Sequence, residues 1–109
     1  MGVQKNLELN SGITVSNAYF RVDNITGSQS MIEFSLYSYV SRDSYLEGKS
    51  YLQVDYLSFI PDVNDTALNF IRQCYAYIKT LDDYTDVEDV LEDGQSPLED
   101  GYYLEQSVN

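Results

Sequence analysis

The sequence predicts an α+β fold, an antiparallel β-sheet or small β-sandwich with one α-helix packed on it at about residues 66–81. Three observations predict this. The 109 residues suffice for one compact domain and not for two. Apolar residues alternate at period two over residues 13–40 and again over 51–60, as half-buried strands require. Residues 67–81 change to the spacings of three and four that mark one helical face. The β-rich domain with its C-terminal helix is expected to occupy residues 1–92, and residues 93–109 to form an acidic, flexible tail.

Taken in order, residues 6–9 alternate briefly, and Asn10, Ser11 and Gly12 are turn residues that would reverse the chain. Over residues 13–25, Ala18, Phe20 and Val22 share one face of a long strand while Tyr19 and Arg21 take the other. The polar run 24–30, containing Gly27, connects it to an antiparallel neighbour. In that neighbour, residues 31–40, Ile32, Phe34, Leu36 and Val40 face one way and Glu33, Ser35, Tyr37 and Tyr39 the other. Residues 41–50 are too many for a tight hairpin and read as an arch between sheets or a bend at an edge, ended by Gly48. Residues 51–60 set Leu52, Val54, Tyr56 and Ile60 against Tyr51, Gln53, Asp55, Leu57 and Phe59, and two partly apolar faces predict a central strand. Pro61 ends it, and residues 62–66 supply helix-capping side chains.

The helix presents Ala67, Phe70, Ile71, Cys74, Ile78 and Leu81 on one stripe. Burying Phe70, Ile71, Ile78 and Leu81 gives about 6–12 kcal/mol, whereas ordering the backbone costs about 15–30 kcal/mol, so the helix needs a sheet beneath it. The expected support is Phe20, Ile32, Phe34, Leu36, Leu52 and Val54, and Ile71→Asp is expected to unfold the domain. Val87, Val90 and Leu91 would add one more helical turn.

The charge balance is 18 acids against 6 bases, net −12, the wrong sign for neutralising phosphates or adhering to an anionic bilayer. Nucleic acid and membrane are therefore not expected as partners. Ten of the acids follow Leu81, while residues 1–81 hold eight acids against six bases, a net charge of −2. Tyr102, Tyr103 and Leu104 form an apolar cluster within this tail. No leader with an apolar core and no membrane-length apolar run is expected, and Asn6 stands where a myristoylation signal needs Ser or Thr.

Histidine is absent, which removes the usual general base and the commonest metal ligand, and Cys74 is the sole cysteine, on the apolar stripe of the helix. Asp62, Asn64 and Thr66 imitate the opening of a calcium loop, but Ala67 and Gln73 stand where that loop needs Gly and Glu, so capping explains them. No catalytic, cofactor-binding or metal-binding residue is assigned, and no enzyme is expected. Eleven tyrosines are the compositional signal. Tyr19, Tyr37, Tyr39 and Tyr51 lie opposite the main apolar sets, either as an interaction surface or as packing between two layers.

The order of several segments carries a resemblance: Lys5-Asn6-Leu7-Glu8-Leu9-Asn10-Ser11-Gly12-Ile13-Thr14-Val15, Asn17-Ala18-Tyr19-Phe20-Arg21-Val22, Ser38-Tyr39-Val40-Ser41-Arg42, Gly48-Lys49-Ser50-Tyr51-Leu52, Asn69-Phe70-Ile71-Arg72-Gln73 and Tyr75-Ala76-Tyr77-Ile78-Lys79-Thr80-Leu81. Over about residues 4–91 the chain resembles small proteins encoded in the tail-gene clusters of long-tailed siphophages and prophages of Gram-positive, Bacillus-type hosts. The resemblance implies a bacteriophage tail-associated structural or adaptor protein at the distal tail or baseplate, with a fold like the shoulder domain of lactococcal-phage receptor-binding proteins. It implies other phage tail proteins as partners, the virion tail or the host cytoplasm during assembly as the location, and a monomer in isolation. It carries over no active-site residue. Two alternatives stand beside it: a receptor-adhesion module whose tyrosines stack on host cell-wall glycans, and an acidic DNA mimic inhibiting a host enzyme.

Overall fold

The computed structural model describes residues 1–97. The cluster Tyr102, Tyr103 and Leu104 and most of the expected acidic tail lie outside the described residues.

The elements are β1 (Gly2–Glu8), β2 (Thr14–Gly27), β3 (Ile32–Tyr39), α1 (Arg42–Leu46), β4 (Gln53–Phe59), α2 (Phe70–Ile78), a single 3-10 turn (Asp82–Tyr84) and β5 (Glu88–Val90). The five strands form one antiparallel sheet in the order β4-β3-β2-β1-β5. The α+β class, an antiparallel sheet with a helix packed on it, is thus as the alternation predicts. None of the helices among the described residues is long and apolar enough to cross a membrane.

β1, β2 and β3 follow one another as hairpins and β4 returns beside β3 after α1, so each tight reversal needs a turn the backbone tolerates. Gly27 is required at the second: at φ +137° a Cβ would lie 2.1 Å from the Met31 carbonyl oxygen. β2 also holds two bulges, each taking one extra residue against its neighbour, and each has an asparagine in the left-handed region, Asn17 at φ 54° and Asn24 at φ 53°. Each bulge shifts the register of this 14-residue strand by one residue, the first against β1 and the second against β3.

One face of the sheet carries the core. Val3 and Leu7 of β1, Ala18 and Phe20 of β2, Ile32, Phe34 and Leu36 of β3, and Phe59 of β4 meet Cys74, Tyr75 and Ile78 of α2 and Tyr84 of the 3-10 turn. Aromatic rings close the gaps edge-on, Phe20 with Tyr84 at 5.6 Å and Phe34 with Phe59 at 5.9 Å.

Five expectations are corrected. β1 starts at Gly2 rather than residue 6. Residues 41–50 contain α1, because Ser41 caps it: the Ser44 N–H donates to the Ser41 hydroxyl at 3.1 Å. β4 is an edge strand, not a central one, and it turns Asp55, Leu57 and Phe59 toward the core in register with Leu36, Phe34 and Ile32. Val54 and Tyr56 therefore lie on the opposite face, while Leu52 still packs at the core's rim. Asp55 is tolerated on the core side because the Tyr84 hydroxyl donates to it at 3.2 Å.

The helix is Phe70–Ile78, shorter than residues 66–81. Its cap is Asn69, whose Oδ1 accepts from the Arg72 N–H at 2.9 Å, and not a residue of 62–66. Buried Gln73 reaches back, accepting from the Asp62 N–H at 2.7 Å and donating to the carbonyls of Asp62 and Leu68, which holds the preceding segment as a loop. Phe70 and Ile71 are exposed, so the inward face runs through Cys74, Tyr75 and Ile78. Finally, residues 88–90 form β5 on the free edge of β1 instead of a helical turn. The Lys79 ammonium, 2.6 Å from the Asp89 carboxylate, ties the end of α2 to that strand.

Candidate interaction face

Opposite α2 the sheet has a second face, and tyrosine dominates it. The register sets Tyr39 of β3 beside Tyr19 of β2, and Tyr37 between Arg21 of β2 and Val54 of β4. α1 lies over one end of this face. Its Tyr45 ring is centred 5.6 Å from that of Tyr19 and 5.1 Å from that of Tyr39. Tyr51, just ahead of β4, meets Tyr37 edge-on at 4.9 Å.

The four tyrosines named from the sequence thus differ in exposure. Tyr19 is 1% exposed and leaves the candidate surface: it is packed beneath Tyr45 and above Gly2, where any Cβ would come within 2.4 Å of its ring. Tyr39 is half-buried against Tyr45. Tyr37 is also half-buried, and its hydroxyl accepts from the Asn24 side-chain amide at 3.0 Å. Tyr51 is exposed.

Arg21 locks the centre of the cluster. Its guanidinium carbon lies 4.7 Å from the centre of the Tyr45 ring, and its Nη1 donates to the Tyr19 hydroxyl at 3.0 Å and to the Glu92 carboxylate at 2.7 Å. Burial by itself lowers the Arg21 pKa, but the hydrogen bonds to Glu92 and Tyr19 outweigh it, so the guanidinium is held more firmly charged than usual. In return the Arg21 hydrogen bond, its charge and that of the terminal amine hold the Glu92 carboxyl below the ordinary carboxylate range. Burial, reinforced by Tyr45 and Asp23, pushes the Tyr39 phenol up. The cluster is therefore neutral aromatic surface around one fixed cation whose charge Glu92 balances.

Sequence reasoning missed three residues of this face. Tyr45 is hidden in a segment read as an arch, although Ser41 followed by Asp43 in the first turn is a capping signal. Arg21 was placed on the correct face but given no role. Tyr56 was assigned to the core side; the stronger apolar pair Leu57 and Phe59 on the alternate positions would have corrected the phase.

The face offers ring edges and faces on a rigid sheet, with amide, carboxylate and hydroxyl groups at its borders. Such a surface suits contact with another macromolecule. Comparison of the chain with protein-family models, with curated proteins and with solved structures found no match in any of the three.

Proposed function

We propose that the chain is a non-catalytic structural or adaptor module of a long-tailed bacteriophage, positioned at the distal tail or baseplate, and that Tyr37, Tyr39 and Tyr51 contact another tail protein. The resemblance over about residues 4–91 supports the phage assignment. The observation that carries the contact reading is the tyrosine face: Tyr51 stands 51% exposed beside Tyr37, on a sheet whose other side carries the core. Tyrosine supplies large contact area with few rotatable bonds, the property that enriches it at interfaces. A core that closes within one chain supports a monomeric free form, and the resemblance implies the host cytoplasm before assembly adds it to the particle.

Mass spectrometry and immunogold labelling of purified virions test the proposal. The chain is expected among the tail components, and its absence from the particles overturns the reading. Tyr51→Ala is expected to lower incorporation into virions while leaving the melting temperature of the isolated protein nearly unchanged.

A further inference from the structure

We propose that the open end of this face, away from α1, is a binding site for a neutral sugar, with Tyr56 as the platform on which a pyranose ring stacks. Asn24 and Thr26 of β2, Glu33 and Ser35 of β3, and Tyr56 and Ser58 of β4 line a groove of about 370 Å³ there. That size falls toward the small end of small-molecule sites, roughly 300–1,000 Å³. The register sets Ser35 opposite Tyr56, and Glu33 between Thr26 and Ser58, so the groove runs across three adjacent strands.

Two features mark it as a site rather than a bare stretch of sheet. Tyr56 is 77% exposed, the barest large apolar side chain among the described residues, so its ring contributes little to folding. Ser35 beside it is only 4% exposed, lines the groove, and has no side-chain hydrogen bond to a described residue. The Ser35 hydroxyl still reaches solvent through the groove, so it is open to a hydrogen bond with a ligand there.

The chemistry of the lining selects the ligand. No Lys or Arg lines the groove and Glu33 does, which disfavours phosphate, sulfate and carboxylate ligands. Glu33 makes no ion pair or hydrogen bond among the described residues. Asn24, turned by its left-handed backbone, donates its amide to the Tyr37 hydroxyl, which leaves Oδ1 as an acceptor. A polyol meets these two acceptors with its hydroxyl protons, takes protons from the hydroxyls of Thr26, Ser35 and Ser58, and lays its C–H face on the Tyr56 ring. A single exposed ring and a shallow floor imply millimolar affinity per sugar, of the kind that repeated copies on a particle would multiply.

This site uses residues other than the proposed protein-contact tyrosines, and its test is separate. The isotope-labelled full chain is titrated with glucose, galactose and N-acetylglucosamine to tens of millimolar while amide shifts are followed. Saturable shifts are expected for at least one sugar, concentrated at residues 24–26, 33–35 and 56–58. Tyr56→Ala is expected to weaken binding at least about tenfold and Tyr56→Phe to retain it, because stacking needs the ring and not the hydroxyl. Ser35→Ala, a substitution that fits the same space, is expected to weaken binding at unchanged melting temperature. The proposal is overturned if none of the three sugars produces shifts, if the shifts fall elsewhere, or if Tyr56→Ala binds as well as the parent. It is equally overturned if shifts along Gln53–Phe59 depend on protein concentration alone, which would place a second copy on the free edge of β4.

Discussion

At the scale of single residues, Tyr75 joins three parts of the fold through one hydroxyl. Lying on α2 and 1% exposed, it donates to the Met1 carbonyl at 2.7 Å and accepts from the Val22 N–H at 2.9 Å. Met1, just ahead of β1, and Val22 of β2 are thereby tied to the helix. Tyr75→Phe keeps the ring and removes only the oxygen, so both hydrogen bonds are lost. The expected cost is about 1–3 kcal/mol of unfolding free energy, read as a lower urea midpoint at unchanged slope. An unchanged midpoint would show that neither bond contributes to stability.

At the scale of elements, α2 separates a correct periodicity from an incorrect boundary. Apolar spacing located the helix and identified Cys74 and Ile78 as inward, and both are 0% exposed. It also enlisted Phe70 and Ile71, which form the exposed opening of the helix. The capping side chain of Asn69 and the backward reach of Gln73 set the true start, and neither appears in an apolar pattern. Ile71 is 54% exposed, which corrects the expectation that Ile71→Asp unfolds the domain. That change is now expected to move stability by no more than about 0.5–1 kcal/mol, whereas Ile78→Asp buries an unpaired carboxylate and prevents folding. Circular dichroism and thermal melts of the two variants separate them. β4 fails in the same way: its alternation was legible, but the inward phase rested on Asp55, which reads as a solvent-facing residue until Tyr84, 29 residues along, supplies the partner. The tyrosine face was half legible for a related reason. Period two placed Tyr37 and Tyr39 outward, while the depth of Tyr19 depends on Gly2 and Tyr45, which come together only in three dimensions.

For the whole molecule, the sheet–helix layer buries three groups that are neutral only while protonated, and this fixes which side of neutrality the fold tolerates less well. Burial pushes the Cys74 thiol up to about 12. Burial likewise raises the Tyr75 phenol against the opposing Val22 N–H, and raises the Tyr84 phenol, with the Asp55 carboxylate adding to the effect. Each folded-state value lies above its unfolded one, so the unfolded chain releases these protons first. Their stabilisation is complete below the unfolded values and is lost as pH climbs toward the folded ones. The loss from Cys74 begins near its ordinary pKa of ~8.5, and that from the two tyrosines above ~10. On the acid side Glu92 works in the opposite sense. Its lowered pKa stabilises the fold above its unfolded value of ~4.3 and is lost below that, but its exposure keeps the contribution small. Urea midpoints measured from pH ~8 to ~11 are therefore expected to fall in two stages, gently at first and steeply above ~10. Cys74→Ala is expected to abolish the first stage and leave the second, since the phenols are untouched. A Cys74→Ala curve parallel to that of the parent across both stages would place the thiol's burial outside the alkaline transition and leave the two tyrosines to account for it.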